Sequence, residues 1–505
     1  VGAVAAAPGS GDLGAGVPEA GGADGVHAVD GGAPARRSSL AWPAAGCLAV
    51  AVVSLVLPAS HAYDPWAWLV WGREALHLEL DTTGGPSWKP LPVLAAAVVS
   101  VFGDLAPTVW LVAARTAGLL AIVLAFRLAA RFAGPVAGAL AAAFLVLTPD
   151  GGPRFSRLLV EGHADTLSVT LTLWAVERHL DGRRDHALLL GTALALMRPE
   201  AWPFLGAYVL WLWVREPAGR GLIVGCLAAV PVLWFGGDWW GSGSPWHGAG
   251  GAQVESGGAA DLFGLAFERA VKVVVVPVWV GVGLVLAPVL GAGRPRPGPG
   301  TDPDGERSHR AEPAPRVLPA LVAAALAWTT LVIAMSVTLH YAALSRFLLP
   351  AAGLLCVVGA VGLVRALDAV PAGPLRVAAV TVALAVAVPP VLPRVRAFDT
   401  LVDGIETRAR LERELDVALD RAGGPDAVRA CGAVAIDQSD VPRMALAWKL
   451  DLPLHEVRRR LRDDPGVLFA RAGGRQDRAL SGEPAPVLER LAESEEWVVY
   501  AAGCP

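Results

Sequence analysis

Residues 61–94 read HAYDPWAWLVWGREALHLELDTTGGPSWKPLPVL, and the reading of this stretch decides the fold. It follows a first apolar run at 40–58 and precedes a long series of others. It carries Asp64, Arg73, Glu74, Glu79, Asp81 and Lys89 among four tryptophans, Trp66, Trp68, Trp71 and Trp88. Charges and indoles flanked by membrane-grade sequence suit a segment at a membrane–water boundary, where Trp concentrates. The spacing predicts a short helix over 65–78. Trp68, Val70, Trp71, Ala75 and Leu78 share an apolar stripe there, with Arg73 and Glu74 off it. TTGGP at 82–86 marks a turn, and Trp88-Lys89-Pro90 re-enters an apolar run. The stretch reads either as a connecting loop with an interfacial anchor or as a reactive loop. In the second reading Asp64 is a base and Lys89 holds an anion.

Composition supports the membrane reading. The chain has 505 residues, 54% hydrophobic and 17% charged, with a mean hydropathy of +0.50. Soluble domains carry roughly 25% charged residues. The shortfall, with repeated apolar runs, predicts a mainly α, polytopic transmembrane helical bundle. A net charge of −4 offers no basic footprint, so nucleic acid is not expected as a partner; membrane lipids are.

Residues 1–38, rich in Gly, Ala and Pro, predict a disordered cytoplasmic tail. A signal peptide competes with a retained first span, since Ser60-His61-Ala62 loosely resembles a cleavage site. Retained, the span leaves Arg36 and Arg37 inside and Asp64 outside. The run 91–102 is short and predicts a second boundary helix in an outer loop at 61–106. Spans then follow at 109–130, 136–147, 164–180, 187–197, 202–214, 222–235, 271–290, 317–339, 347–364 and 375–392. A Gly-rich outer loop is expected at 236–269 and a cytoplasmic linker at 293–316. The total is about 11 spans, and arginines gather at the predicted inner ends. The membrane part is 39–393. From 394 to 505 the pattern changes to a small extracytoplasmic α/β domain. Strands are expected at 430–436, 466–470 and 497–502, and helices at 400–421, 441–449, 454–462 and 485–493. Cys431 and Cys504 flank its strands, and a disulfide outside the cytoplasm competes with two buried thiols.

Charges collect at the predicted outer ends of spans: Asp64, Lys89, Arg115, Asp150, Arg154, Arg157, Glu161, Arg198, Glu200 and Arg346. A charge near the middle of a span costs roughly 2.5–3.5 kcal/mol, so such groups pair or line a wet cavity. Cations at the bilayer surface suit a phosphate. A carboxylate beside them suits proton removal from a hydroxyl. An apolar wall suits a lipid tail. Blander readings stand beside these. Asp64 before Pro65 makes a good helix N-cap. Arg157 and Glu161 are an i,i+4 pair. Arg198 and Glu200 flank a proline turn. His163, His247 and His340 are scattered, so no protein-built metal site is predicted. No cofactor is expected, and divalent-metal dependence is left open. Asp302-Pro303-Asp304 falls in the linker and reads as linker composition.

Several short motifs resemble the GT-C superfamily of integral-membrane glycosyltransferases, which includes protein O-mannosyltransferases and lipid A aminoarabinose transferases. They are Tyr63-Asp64, Trp88-Lys89-Pro90-Leu91, Val101-Phe102-Gly103, Ala114-Arg115, Ser156-Arg157-Leu158-Leu159-Val160-Glu161, Arg198-Pro199-Glu200 and Ser345-Arg346-Phe347-Leu348-Leu349-Pro350. They cover residues 40–393, while 394–505 matches no family we can name. The Ala-, Arg- and Gly-heavy composition looks actinobacterial. The resemblance implies inverting transfer of a sugar from a polyprenyl-phosphate donor to an extracytoplasmic glycan, lipid or protein at the plasma membrane. It implies Asp64 as base, Glu161 as a second acid orienting sugar or acceptor, and Lys89, Arg346 and Arg198 on the donor phosphate. Trp66, Trp88, Glu200 and Arg157 would contact sugar or acceptor. A lipid-linked glycan transporter is the competing class, and it would want mid-membrane charges and paired halves. A non-catalytic envelope scaffold is the third.

Overall fold

The computed structural model describes residues 39–148, 154–216, 219–251, 257–288, 316–437, 440–461, 465–474 and 488–504. The expected tail at 1–38, Asp150, and linker residues 293–315 with Asp302 and Asp304 lie outside the described residues. Helix α1 (Ala41–Val53) leads into α2 (Tyr63–Leu76), which opens with Pro65 in its first turn, where no intrahelical bond is lost. Helix α3 (Pro90–Ser100) starts on a proline and lies directly on α2. A Cβ on Gly72 would sit 2.5 Å from the Ala96 backbone, so glycine lets the two helices touch.

Helix α4 (Ala106–Val146) is broken at Ala133 and Gly134, where Gly134 adopts φ 78° ahead of Pro135. The chain folds back there. A Cβ on Gly138 would meet the Phe126 carbonyl, although 12 residues of straight helix span about 18 Å. Next come α5 (Arg154–Val160), α6 (Asp165–Leu180), α7 (Arg184–Ala195), α8 (Trp202–Arg215) and α9 (Arg220–Ser242). They are followed by α10 (His247–Gly251), α11 (Ala259–Lys272), α12 (Val276–Leu286), α13 (Val317–Leu339) and α14 (Leu349–Asp368). Helix α14 is the hub. Its apolar window is 94% buried, against α4, α6, α12 and α13.

Four described helices are long and apolar enough to cross a membrane: Gly103–Val146, Arg220–Ser242, Val317–Leu339 and Ser345–Asp368. Helices α11 and α12, bent by 85°, make a fifth if both belong to one span. With the composition, these mark a multi-pass membrane protein. The expected count of about eleven is not confirmed by this test among the described residues. Helices α6, α7 and α8 have 16, 12 and 14 residues. At 1.5 Å per residue the longest is about 24 Å, short of a bilayer core of about 30 Å. Hydropathy reports composition, whereas Asp165, Arg184 and Pro199 set where these helices begin and end. The expected outer loop at 236–269 is also revised, because α9 continues to Ser242 and α10 and α11 fill much of the rest.

Helix α15 (Pro374–Arg421) runs unbroken through the expected boundary at 393. Beyond it lie α16 (Gly424–Cys431), β1 (Ala433–Asp437), α17 (Asp440–Lys449), β2 (Val457–Arg458), β3 (Gly466–Arg471), β4 (Glu489–Glu493) and β5 (Trp497–Ala502). The strand order is β2-β1-β3-β5-β4. Strand β1 runs parallel to β2 and β3, and β5 antiparallel to β3 and β4. A disulfide joins Cys431 to Cys504, with Cα atoms 4.8 Å apart. Two expected helices are corrected. The described part of 454–462 holds turns and β2, and the described part of 485–493 forms β4. Both are edge strands. Their charged sequences mimic a helical period, while a sheet edge tolerates those charges because one side is unpaired.

The core is continuous across these parts. Trp66, Trp68 and Trp71 of α2 belong to one buried cluster with Met444, Phe469 and Trp497, and Ala41–Pro505 forms one compact unit. Helix α2 is therefore buried almost all round, Glu74 included, while Leu78 is exposed. The expected one-sided apolar stripe is corrected: α17 and α3 cover faces that an interfacial helix would leave open.

Candidate active site

Two X-Pro steps place the first charged groups. Lys89 and Arg198 each precede a proline, and both adopt extended backbone, φ −143° and −137°, as the clash with a following proline ring requires. The steps are tied by the Leu91 N–H donating to the Leu196 carbonyl at 3.1 Å. Arg346 sits in a 3-10 turn, Ser345–Leu348, just ahead of α14. Asp64 lies in the first turn of α2, but the N-cap is Ala62 with no side-chain cap bond. The capping role considered for Asp64 is thus overturned.

The Asp64 carboxylate faces the cations instead. Arg346 Nη1 donates to Asp64 Oδ2 at 2.8 Å, and Lys89 Nζ lies 3.8 Å from the same oxygen. These residues are 282 and 25 positions from Asp64 in the chain. Arg346 Nη1 also lies 3.7 Å from Asp165 Oδ2, and Asp165 pairs with Arg198. Arg198 is fully buried, its guanidinium 4.4 Å from the Phe347 ring centroid. The Lys89 ammonium lies 5.3 Å from the Trp68 ring. Glu200 is buried and accepts from the Tyr341 hydroxyl at 3.1 Å.

Burial and charge work against each other here. Burial pushes the Asp64 carboxyl up, but Arg346 and then Lys89 outweigh it and hold it at about 2. Burial lowers the Lys89 ammonium to about 7, with Asp64 pulling the other way. Burial likewise lowers His163 and Arg198, and raises Tyr341 well above its ordinary range.

A cavity of about 600 Å³ opens over this cluster. Asp64, Lys89, Trp88 and Arg346 line it, with an apolar wall that includes Trp202, Trp234, Phe235 and Leu339. Trp88 donates its Nε1–H to the Leu233 carbonyl at 3.1 Å, so its ring is fixed as wall. Five other expected contacts lie outside the lining. Trp66 faces another cavity. Glu161 accepts from Arg157 Nε at 2.8 Å and from Arg408 of α15, which uses its carboxylate as a clasp. Arg157 stays on that clasp, and Glu200 stays on Tyr341. Arg198 reaches the cluster through Asp165 and not directly. Arg115 bonds the Val160 and Ser54 carbonyls and holds helix ends together.

Asp165 is the residue that sequence reading missed. Its signal was present: an acid four positions after Glu161, in the first turn of the apolar run at 164–180. His163, read as isolated, lies 3.4 Å from Asp165 Oδ2. One ligand atom each of Asp64, His163 and Asp165 falls within 4.8 Å of the others, a spacing that could hold a cation. Both carboxylates already face guanidinium groups, so an ion there would compete with Arg346 and Arg198.

No family model and no curated protein matches the chain. Solved structures do. ArnT from Cupriavidus metallidurans in the apo state has a TM-score of 0.48 and 15% identity over 92% of this chain and 99% of that one. The same protein bound to undecaprenyl phosphate gives 0.47 and 14%, over 93% and 100%. The Archaeoglobus fulgidus oligosaccharyltransferase in the apo form gives 0.40 and 14%, over 83% and 64%. Both proteins belong to the GT-C superfamily.

Proposed function

We propose that this chain is a membrane glycosyltransferase that moves a sugar from a polyprenyl-phosphate donor to an extracytoplasmic acceptor, with inversion. The observation that carries the reading is the meeting of Asp64, Lys89 and Arg346 in one cavity that is otherwise lined largely by apolar side chains. The two cations match a phosphate at a membrane rim. The apolar wall matches the first part of a hydrocarbon tail. The carboxylate between them matches the proton of an attacking hydroxyl.

The steps balance. The acceptor oxygen bonds to the anomeric carbon as the bond from that carbon to the phosphate oxygen breaks. The electron pair leaves with polyprenyl phosphate, stabilised by Lys89 and Arg346. Asp64 takes the hydroxyl proton. Before donor binds, the same two cations neutralise Asp64, which explains its low pKa. A bound phosphate draws them off and raises the basicity of Asp64 where the hydroxyl arrives. Arg198 acts through Asp165, which orients Arg346. In this reading the amino terminus is cytoplasmic and the α/β part is outside.

The test is transfer from a labelled polyprenyl-phosphate sugar by the full chain in nanodiscs. Asp64→Asn should keep the fold and bind donor at least as tightly, since no carboxylate then competes for Arg346, while losing about 10²–10⁴-fold in rate. Unchanged transfer would remove Asp64 from its role.

A further inference from the structure

Residues two apart on a helix point about 200° apart. Asp64 and Trp66 therefore face different cavities. The second, about 1070 Å³, lies where the start of α2 meets α15 and α17. Its wall includes His61, Trp66, Glu412, Asp416, Trp448 and Lys449, and all six lie outside the lining of the Asp64 cavity.

Two buried ring nitrogens on this wall have no partner among the described residues: His61 Nδ1 and Trp66 Nε1. Their residues are 6% and 2% exposed. His61 Nε2 lies 2.9 Å from the Pro107 carbonyl, so it carries the ring proton and Nδ1 is an acceptor. Burial pushes this imidazole down to about 4, which keeps it neutral. The wall thus presents one unpaired donor, Trp66 Nε1–H, beside one unpaired acceptor. The aromatic rings run on from there: His61 to Trp66 at 4.8 Å and Trp66 to Trp448 at 6.5 Å between centroids. Glu412 and Asp416 lie one turn apart on α15; burial raises the Glu412 carboxyl to about 7, where it also accepts from Ser60 and the His61 N–H, and Lys449 Nζ lies 2.5 Å from Asp416.

We propose that this cavity binds a neutral saccharide. Hydroxyl groups both give and accept hydrogen bonds. They can take the Trp66 proton and supply protons to His61 Nδ1 and Glu412, while a sugar C–H face lies on Trp448. An anionic ligand would meet the Asp416 carboxylate and, above about pH 7, that of Glu412. A hydrocarbon would leave both ring nitrogens as unpaired as they are without ligand and gain nothing from them. The volume, about 1070 Å³, lies just above the usual range of small-ligand sites, roughly 300–1,000 Å³, and far above one water at about 30 Å³. The inference is independent of whether the Asp64 cavity transfers sugar.

The test uses the full chain in nanodiscs on an array of neutral tri- and tetrasaccharides printed beside their sulfated and sialylated counterparts. Polyprenyl-phosphate affinity and melting temperature are read in parallel. Neutral members should be retained in preference to acidic ones. Trp448→Ala and Glu412→Ala should each weaken retention at least tenfold with lipid-phosphate affinity unchanged. Trp448 also packs on Arg73, so if its variant fails to fold, Glu412→Ala decides. Retention of no neutral saccharide, a preference for acidic ones, or equal retention by a folded variant would overturn the proposal. Failure of polyprenyl-phosphate binding alone would count against the Asp64 cavity and leave this one standing.

Discussion

Lys89 is the residue whose chemistry is most sensitive to condition. Burial lowers it to about 7, so the folded protein without ligand loses this charge as pH rises past neutrality. An anion binds the charged form. Affinity for a polyprenyl-phosphate sugar, a phosphodiester with a constant single charge, should therefore fall from pH 7 to 9. The limit is about tenfold per pH unit. Lys89→Arg should flatten the profile, since arginine stays charged, and calorimetric titration in nanodiscs reads both. A flat wild-type profile would remove Lys89 from the phosphate. The sign for stability is the reverse. The unfolded chain holds the Lys89 proton up to its ordinary value near 10.5, so this group makes the fold more stable as pH climbs from 7 to 10. At this scale sequence could nominate Asp64, Lys89 and Arg346, because charges in apolar surroundings are conspicuous. It could not separate Trp66 from Trp88, or Glu161 from Asp165. Those choices depend on which side of a helix meets which cavity, and on Arg408 arriving from 247 positions away to occupy Glu161.

At the scale of elements, close helix contact at glycines fixes the frame. A Cβ on Gly281 of α12 would run into the Gly359 carbonyl of α14, and one on Gly362 into the Gly281 carbonyl. Small residues at such crossings let backbones approach, which is the main source of association between helices in lipid. Gly281→Val should push α12 off the hub and cost about 1–3 kcal/mol or more, read as a lower melting temperature in detergent. An unchanged melt would show that the two helices do not cross there. Helices α2, α3, α13 and α14 were legible from apolar runs and proline punctuation. Strands β2 and β4 were not, since edge strands carry the charges that also decorate a helix. The count of about eleven spans is not confirmed: among the described residues four helices, or five with the bent pair, are long and apolar enough to cross alone.

At the scale of the whole molecule, the α/β part is built into the membrane part rather than hung from it. Arg73 of α2 donates to the Trp448 and Leu452 carbonyls and pairs with Asp451 at 2.8 Å, and Arg408 clasps Glu161 beside the charged cluster. Asp440 of α17 reaches the rim of the Asp64 cavity. The Cys431–Cys504 disulfide closes a separation of 73 residues around this part. A Cys431→Ser, Cys504→Ser double variant should lose about 2–4 kcal/mol, seen as an earlier unfolding midpoint; an unshifted midpoint would mean that the bond does not form. All of this serves one convergence, in which an acid and two cations from distant segments face one cavity. The most direct measurement is an experimental structure of the full chain in nanodiscs with polyprenyl phosphate. The account predicts the phosphate at about 2.7–2.9 Å from Lys89 Nζ and an Arg346 guanidinium nitrogen, with the Asp64–Arg346 pair opened. A phosphate bound elsewhere, with that pair intact, would contradict it.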